Sequence, residues 1–461
     1  MLYTMCSNPS YCWIICSVLK SHFMTPEEER GAAPRTVTEL FVMFLHNILT
    51  NHKREAEDQR GILVKLGKMA YYGVANRILV FYDKFEMSTF GLQTVVLSTP
   101  FLSGFLKEIL QSESTLEHTT YTFYHLTIQQ FMAACYFQLS PSEDMEDMLM
   151  KLKSCKDDRF DIFTRFLTGL ARPSVFKTLG EILGEFERKT ANRILEWVKQ
   201  KAEQVLQGKD KSEALQVCHW LYETQNKKLI RDAIGKDLML DFSDMTLSPL
   251  DCAVLGSVIN YCGELEELNL SGTELTPEYI NRLVTGFICC KRINLSHCHL
   301  TSTCCSALSS ALSSPHSRLT ELDLNGNNMG DSGVDQLCEG LRSENCKLEK
   351  LNLTNCGLIS KCCSALSSAL SAPHSRLTEL DLSFNNNMED SGVDQLCEGL
   401  RSENCKLEKL RLQFNDISEK EQTQLRLLQE ELNKTGQQVV ISMTERANQL
   451  VPVMVSPVHS L

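Results

Sequence analysis

Three stretches of this chain hold residue types that do chemistry in other proteins. His297, Cys298, His299, Cys304 and Cys305 offer the nitrogen and sulfur donors of a tetrahedral zinc site. Gly61 to Met69 (GILVKLGKM) has the look of a phosphate-binding loop. Ile78 to Asp83 (ILVFYD) has the look of the strand and aspartate that hold magnesium beside such a loop. Each has to be weighed against the element that would position it.

The phosphate loop fails on spacing. Its pattern, G-x-x-x-x-G-K-[ST], brings backbone amides, lysine and a magnesium-binding hydroxyl together on the phosphates. Here five residues separate Gly61 from Gly67, and Met69 stands where the hydroxyl belongs. Without that loop, Ile78 to Asp83 reads as a buried strand of a wing. No activated serine or cysteine and no paired carboxylates stand out, so no catalytic residues and no enzyme activity are expected.

The zinc reading turns on the repeat that surrounds it. The pattern L-x-x-L-x-L-x-x-N/C-x-L fits Leu265, Leu268, Leu270, Thr273, Leu275 and then recurs, with leading residues at 290, 319, 348, 377 and 407. A degenerate copy (Leu240, Phe242, Met245, Leu247) starts from Asp237. Successive leading positions differ by 28, 25, 29, 29, 29 and 30. Cys298 occupies the turn position of one copy. The flanking histidines are expected to point away from it on a strand end. Cys304-Cys305 recurs as Cys362-Cys363 with no histidine beside it. No metal is expected.

The repeat also dictates an architecture. Leucines at i, i+3 and i+5 turn one face of a short strand inward. The remainder of a unit, such as Asp331 to Arg342, has Val334, Leu337, Cys338 and Leu341 at helical spacing. A strand plus a helix cannot bury its apolar face alone, so stacking must do it. Units this long imply an α/β horseshoe of the ribonuclease-inhibitor class. Residues 306–351 recur almost verbatim at 364–410. Asparagine units (Asn327, Asn385, Asn415) therefore alternate with cysteine units (Cys298, Cys356), with Asn415 breaking the strict order. Outward strand positions carry Glu267, Arg292, Glu321 and Asp323, Lys350, Glu379 and Asp381, Lys409 and Arg411. These rows alternate in sign and become cross-strand neighbours. Two readings stand side by side: a self-neutralised sheet surface, and a striped concave face for a partner of complementary charge. On this register Leu351→Ala should cost ~2–5 kcal/mol and Asn352→Ala less than about 0.5 kcal/mol.

Bulk properties narrow the partners. The formal net charge of −12 argues against nucleic acid or an anionic membrane as the main ligand. Twenty cysteines without a C-x-x-C read as reduced core residues, with Cys298, Cys338, Cys356 and Cys397 expected buried. Tyr11 to Leu19 is apolar but about half of a ~20-residue membrane span, and no basic residue precedes it as in an export signal. The sequons at Asn269, Asn294, Asn352 and Asn433 would matter only after export. A cytoplasmic location is expected.

The first half mixes helices with short strands. Thr36 to Leu49 reads as a helix, Ile78 to Tyr82 as a strand, and Tyr121 to Tyr124 as a strand running into a helix at Thr127 to Phe137. Together they suggest a winged-helix module, followed by amphipathic helices at Asp161 to Leu170 and Ala191 to Val205.

Motifs in this half occur in a telling order: PSYCW at Pro9–Trp13, FYHLTIQQF at Phe123–Phe131, FLTGL at Phe166–Leu170, then the repeats. The chain thereby resembles the NACHT and leucine-rich-repeat receptors of cytosolic innate immunity, the fish-type expansion in particular, over about residues 1–435. The resemblance implies ligand sensing, autoinhibitory folding-back and regulated self-assembly. It also implies that the proline matching Pro9 touches adenine and the histidine matching His125 reaches the β-phosphate of ADP. The expected fold class is multidomain, α followed by α/β: the end of a first helical subdomain (1–24), a winged-helix module (25–140), a second helical module (141–236), leucine-rich repeats (237–435), and a tail (436–461) expected to be disordered. The expectation is an N-terminally truncated member without a phosphate loop. ATP and ADP would then belong to the full-length family and no cofactor to this chain alone. Protein partners and self-association are expected, with no nucleic acid and no membrane span. The alternatives are a stand-alone repeat inhibitor and a non-functional receptor fragment.

Overall fold

The computed structural model describes residues 9–24, 33–51, 58–93, 100–113, 116–140, 144–155, 157–184, 186, 188–235, 237–386 and 388–443. They form two compact units: residues 1–242 with 246–266, and residues 243–245 with 267–461. Most of the first repeat thus falls in the first unit, while its strand Met239–Asp241 still continues the sheet of the later repeats.

In the first unit, the helices Val37–Asn51, Gln59–Asn76 and Leu126–Leu139 accompany a three-stranded antiparallel sheet. Its central strand Leu116–Phe123 pairs with Val80–Tyr82 on one side and with Leu106–Glu113 on the other. The strand is thus longer than the apolar run at Tyr121 to Tyr124, and its partner Leu106–Glu113 has no counterpart in the apolar pattern. That ribbon lacks the clean alternation that marks a half-buried strand. Val80–Tyr82 is an edge strand rather than a fully buried one: Phe81 is buried while Val80 and Tyr82 are exposed. Phe41, Phe131 and Phe166 pack ring to ring at 4.7–5.3 Å and tie the wing's helices to Asp161–Leu170. Gly169 of FLTGL permits this approach, because a Cβ there would stand 2.1 Å from Thr38 Oγ1. Helices from Asp144–Ser154 to Lys227–Ile234 follow, then the strand Met239–Asp241 and the helix Pro249–Cys262 of the first repeat.

Two buried polar anchors join these helices. The Glu223 carboxylate accepts from the amides of Val37 and Thr38, at 3.1 and 3.0 Å, and so caps the helix Val37–Asn51 from far along the chain. Burial raises its pKa. The His219 ring donates from Nε2 to Asp251 Oδ1 at 2.6 Å. Asp251 also completes a capping box with Ser248 at the start of Pro249–Cys262.

In the second unit, the strands Cys290–Asn294, Glu321–Asp323, Lys350–Asn352, Glu379–Asp381, Lys409–Arg411 and Val440–Ser442 pair in parallel, in chain order. Five of them fall where the leucine pattern put them. The sixth corrects the expectation of a disordered tail: Val440–Ser442 pairs with Lys409–Arg411, so the sheet runs past residue 435. Residues 444–461 of that tail lie outside the described residues. Leu322, Leu351, Leu380 and Leu410 are buried, as are Val334, Leu337, Cys338 and Leu341 on the helix Gly330–Leu341.

The turns after the strands are held by side chains in rows. Asn327 Oδ1 accepts from the amides of Cys298 and Leu300, while its Nδ2 donates to the carbonyls of Leu295 and Leu324. Asn385 repeats this with Cys356, Leu358, Leu353 and Leu382. The cysteine thiols reach the other way: Cys298 Sγ donates to Leu270 O at 3.0 Å, and Cys356 Sγ to Leu324 O at 3.2 Å. Asn327 and Asn385 thus each serve the cysteine turn before them, whereas Asn415 Oδ1 accepts from the amide of Asn385 at 2.6 Å. Asp244, Gly272, His297, Gly326, Asn355, Phe384 and Phe414 stand one place earlier in successive turns, all in left-handed backbone with φ between 52 and 71°.

Candidate protein-interaction face

The strand residues that point away from the leucine core line a shallow cavity of about 340 Å³ on the sheet. Eight of the nine charged residues picked from the sequence line it: Glu267, Arg292, Glu321, Asp323, Lys350, Glu379, Asp381 and Arg411. Lys409 is placed through its partner Glu379. Parallel register sets opposite charges side by side, and they pair. Arg292 Nε stands 3.1 Å from Glu267 Oε2, Lys350 Nζ 2.9 Å from Glu321 Oε1, and Lys409 Nζ 2.9 Å from Glu379 Oε1. The Arg411 guanidinium lies 3.8 Å from Glu379 and 3.7 Å from Asp381. The hydrogen bond to Glu321 raises the pKa of Lys350, and the one from Lys409 lowers that of Glu379. Exposed pairs like these are worth roughly 0–1 kcal/mol each. Their effect is to fix charge positions on the face.

Sequence reasoning missed a second role at the strand ends. Asp323 Oδ1 accepts from the Asn325 amide at 2.9 Å, and Asp381 Oδ1 from the Ser383 amide at 3.0 Å. Asn269, Asn294 and Asn352 bond the amides of Ser271, Ser296 and Thr354 in the same way. These side chains close the turn as well as facing outward. The expectation that Asn352→Ala is nearly free is corrected on this ground. The signal was present: Asn or Asp at this place in every unit from Asn269 to Asp381, with Arg411 the departure.

The cluster around Cys298 is arranged differently from the expectation too. His297 and His299 do not alternate away along a strand; both occupy left-handed turn positions, at φ 55 and 56°. His297 lies over Gly326, where a Cβ would stand 2.3 Å from its Nδ1. Cys298, Cys338, Cys356 and Cys397 are buried, and none of the four is in a disulfide. Burial pushes the first three thiols up to about 12 and Cys397 to about 11.

In the first unit, His125 is the N-cap of Leu126–Leu139. Its Nδ1 accepts from the Thr127 amide at 3.2 Å and lies 2.9 Å from Thr127 Oγ1. That bond needs an unprotonated Nδ1, so the neutral ring carries its proton on Nε2; burial lowers the pKa and favours this state. Pro9 opens the helix Pro9–Met24, but its side chain lies outside those described, as does that of Asp83. Gly61 to Met69 lies inside the helix Gln59–Asn76, where Asp58 caps the Gly61 amide. Helical amides are bonded along the helix and cannot cradle a phosphate.

Three family models match in order: the NOD2 winged helix domain at residues 61–123, the NLRC4 helical domain HD2 at 125–232, and Leucine Rich repeat at 317–338, 375–397 and 403–420. The chain is 30% identical over 445 residues to NACHT, LRR and PYD domains-containing protein 3 of Rattus norvegicus, a match that covers 89% of this chain and 42% of that one. The Homo sapiens protein of the same name is also 30% identical, with 89% and 41% covered. The chain belongs to the NACHT and leucine-rich-repeat family. In its helical-domain model the module starts at residue 125, where the sequence reading begins it at 141. The protein 1a allele 5 of Rattus norvegicus matches at 30% over 93% of this chain and 35% of its own length. The chain therefore spans less than half the length of these curated relatives. Among the described residues no helix is long and apolar enough to cross a membrane.

Proposed function

We propose that this NACHT and leucine-rich-repeat protein is a cytosolic receptor or regulator of innate immunity that holds a protein partner on its repeat sheet and signals by regulated assembly. The observation that carries the reading is the charged sheet face, whose paired rows sit at fixed positions in a chain that also bears the family's winged-helix and helical modules. Fixed opposite charges discriminate between partners more than they add affinity. No catalytic role enters this reading. Nor does nucleotide binding by this chain alone, although the neutral His125 offers an Nε2–H donor of the kind a phosphate accepts.

A photo-crosslinking amino acid at Asn352, on the sheet, is expected to trap protein partners in cells. The same group at Glu339, exposed on the helix Gly330–Leu341, is not. Equal trapping at both positions would sink the sheet face as the recognition surface. A stand-alone repeat inhibitor would keep both partner capture and its cellular effect after deletion of residues 1–236.

A further inference from the structure

The left-handed turn position separates the last two repeats from the others. Glycine adopts that backbone freely and asparagine, aspartate and histidine tolerate it, whereas a phenylalanine is strained there. The duplicated block makes the comparison inside one chain. Gly326 holds the turn in the first copy at φ 71°, and Phe384 holds it in the second at φ 60°. Both amides donate to the next unit at 2.9 Å, Gly326 to Thr354 O and Phe384 to Gln413 O. The turn therefore has no need of a ring. The following repeat nevertheless carries Phe414 at the same place, and the two rings stack with centroids 4.4 Å apart and planes 20° apart. They remain 48% and 47% exposed. Two strained backbones thus display one apolar platform in water, an arrangement more typical of a binding surface than of a folding device.

The platform adjoins the charged cavity, since Phe384 and Phe414 follow Asp381 and Arg411 by three residues in their own repeats. The cavity lining holds five carboxylates against three cations. A cationic side chain suits it better than an anionic one, and an apolar side chain suits the rings. We propose that this rim binds an extended segment of a partner protein, with a lysine or arginine in the cavity and an apolar residue on the Phe384–Phe414 stack. The inference rests on the reading of the sheet as a partner face and supplies the partner's chemistry. Three residues of chain span at most about 10 Å, so the two anchors of an extended ligand should lie roughly two to four positions apart.

The test uses synthetic ten-residue peptides in a glycine–serine background, each with one arginine and one leucine or tryptophan at separations of one to six positions. Binding to the full chain is read by fluorescence polarisation. Separations of two to four should bind best, and replacing arginine by glutamate should abolish binding. The double variant Phe384→Gly, Phe414→Gly should weaken binding at least tenfold while its melting temperature holds or rises, because glycine suits the turn. No binding at any separation, or binding that the double variant leaves intact, overturns the proposal. If Asp323→Asn with Asp381→Asn weakens binding while the glycine pair does not, the sheet face survives and the aromatic rim is rejected. Binding that neither pair weakens rejects both. A dimer that the glycine pair converts to monomer in ultracentrifugation would assign the stack to a second copy of this chain and overturn the peptide proposal.

Discussion

Asn327 and Glu223 are both buried side chains that satisfy backbone groups at a distance, one in each unit. Asn327 serves the turn next to its own, and Asn385 does the same one block later. Glu223 serves a helix start 186 residues back in the chain, with no second copy of the arrangement among the described residues. His219 with Asp251, Arg172 with Glu39 at 2.7 Å, and the Tyr222 hydroxyl on Arg35 O are likewise single events. In the repeats one interaction is solved once and reused; in the first unit every junction is solved separately. A defect in the repeats should therefore travel to neighbours, while one in the first unit should stay at its own junction.

The largest expected effect is Leu351→Ala. Its side chain is buried in the row between Leu322 and Leu380, and its loss should cost ~2–5 kcal/mol through transfer and cavity terms. Hydrogen exchange should show lost protection across residues 319–410 and none in the first unit; a loss confined to one repeat would break the contrast.

Next come the two anchors themselves. Asn327→Ala strands buried amides and carbonyls of two turns and should cost about 3 kcal/mol, with exchange quickening at both turns. Glu223→Ala removes the cap from Val37 and Thr38, with about 2 kcal/mol lost and exchange quickening at that helix start alone. Equal spreading in both variants, read by the same exchange experiment, would end the distinction.

A pH effect belongs to the first unit. Burial lowers the His219 pKa from 6.5 to about 4, the Arg165 charge adds to this, and the bond to Asp251 only partly offsets it. Burial would raise the Asp251 carboxyl, yet the bonds from His219 and Ser248 bring it to about 2. Between pH 6.5 and about 4 the unfolded chain binds a proton at this histidine that the folded chain refuses. Stability is therefore full above 6.5 and falls as the pH drops through that window, by on the order of 3 kcal/mol. Asp251 adds a loss of the same sign only below its unfolded value of 3.8. Urea midpoints at pH 7 and pH 5 should converge in His219→Gln, and an unchanged slope in that variant would assign the effect elsewhere.

The smallest effect is Asn352→Ala, about 1 kcal/mol from the lost turn bond to Thr354. Asn352→Asp should be nearly neutral, because Asp323 and Asp381 do the same work in adjacent units. Thermal melts of the two variants separate the turn role from a purely outward one, which would leave both unchanged.

The amino-acid sequence specifies the repeats: their strands, their buried leucines and the alternating charges on the sheet. A period of 25–30 residues states each of these several times over, and alternation along a strand fixes which side chains face out. It also determined the order of the modules, through short motifs such as FLTGL. The places of the single-use contacts come from long-range packing. Glu223 looks like any helical glutamate, and the Leu106–Glu113 strand looks like a polar loop, because neither carries a local period. The same limit explains the turns. That His297 lies over Gly326, that Asn352 closes a turn, and that Phe384 meets Phe414 all follow from backbone angles and neighbouring repeats, which no pattern of apolar spacing encodes.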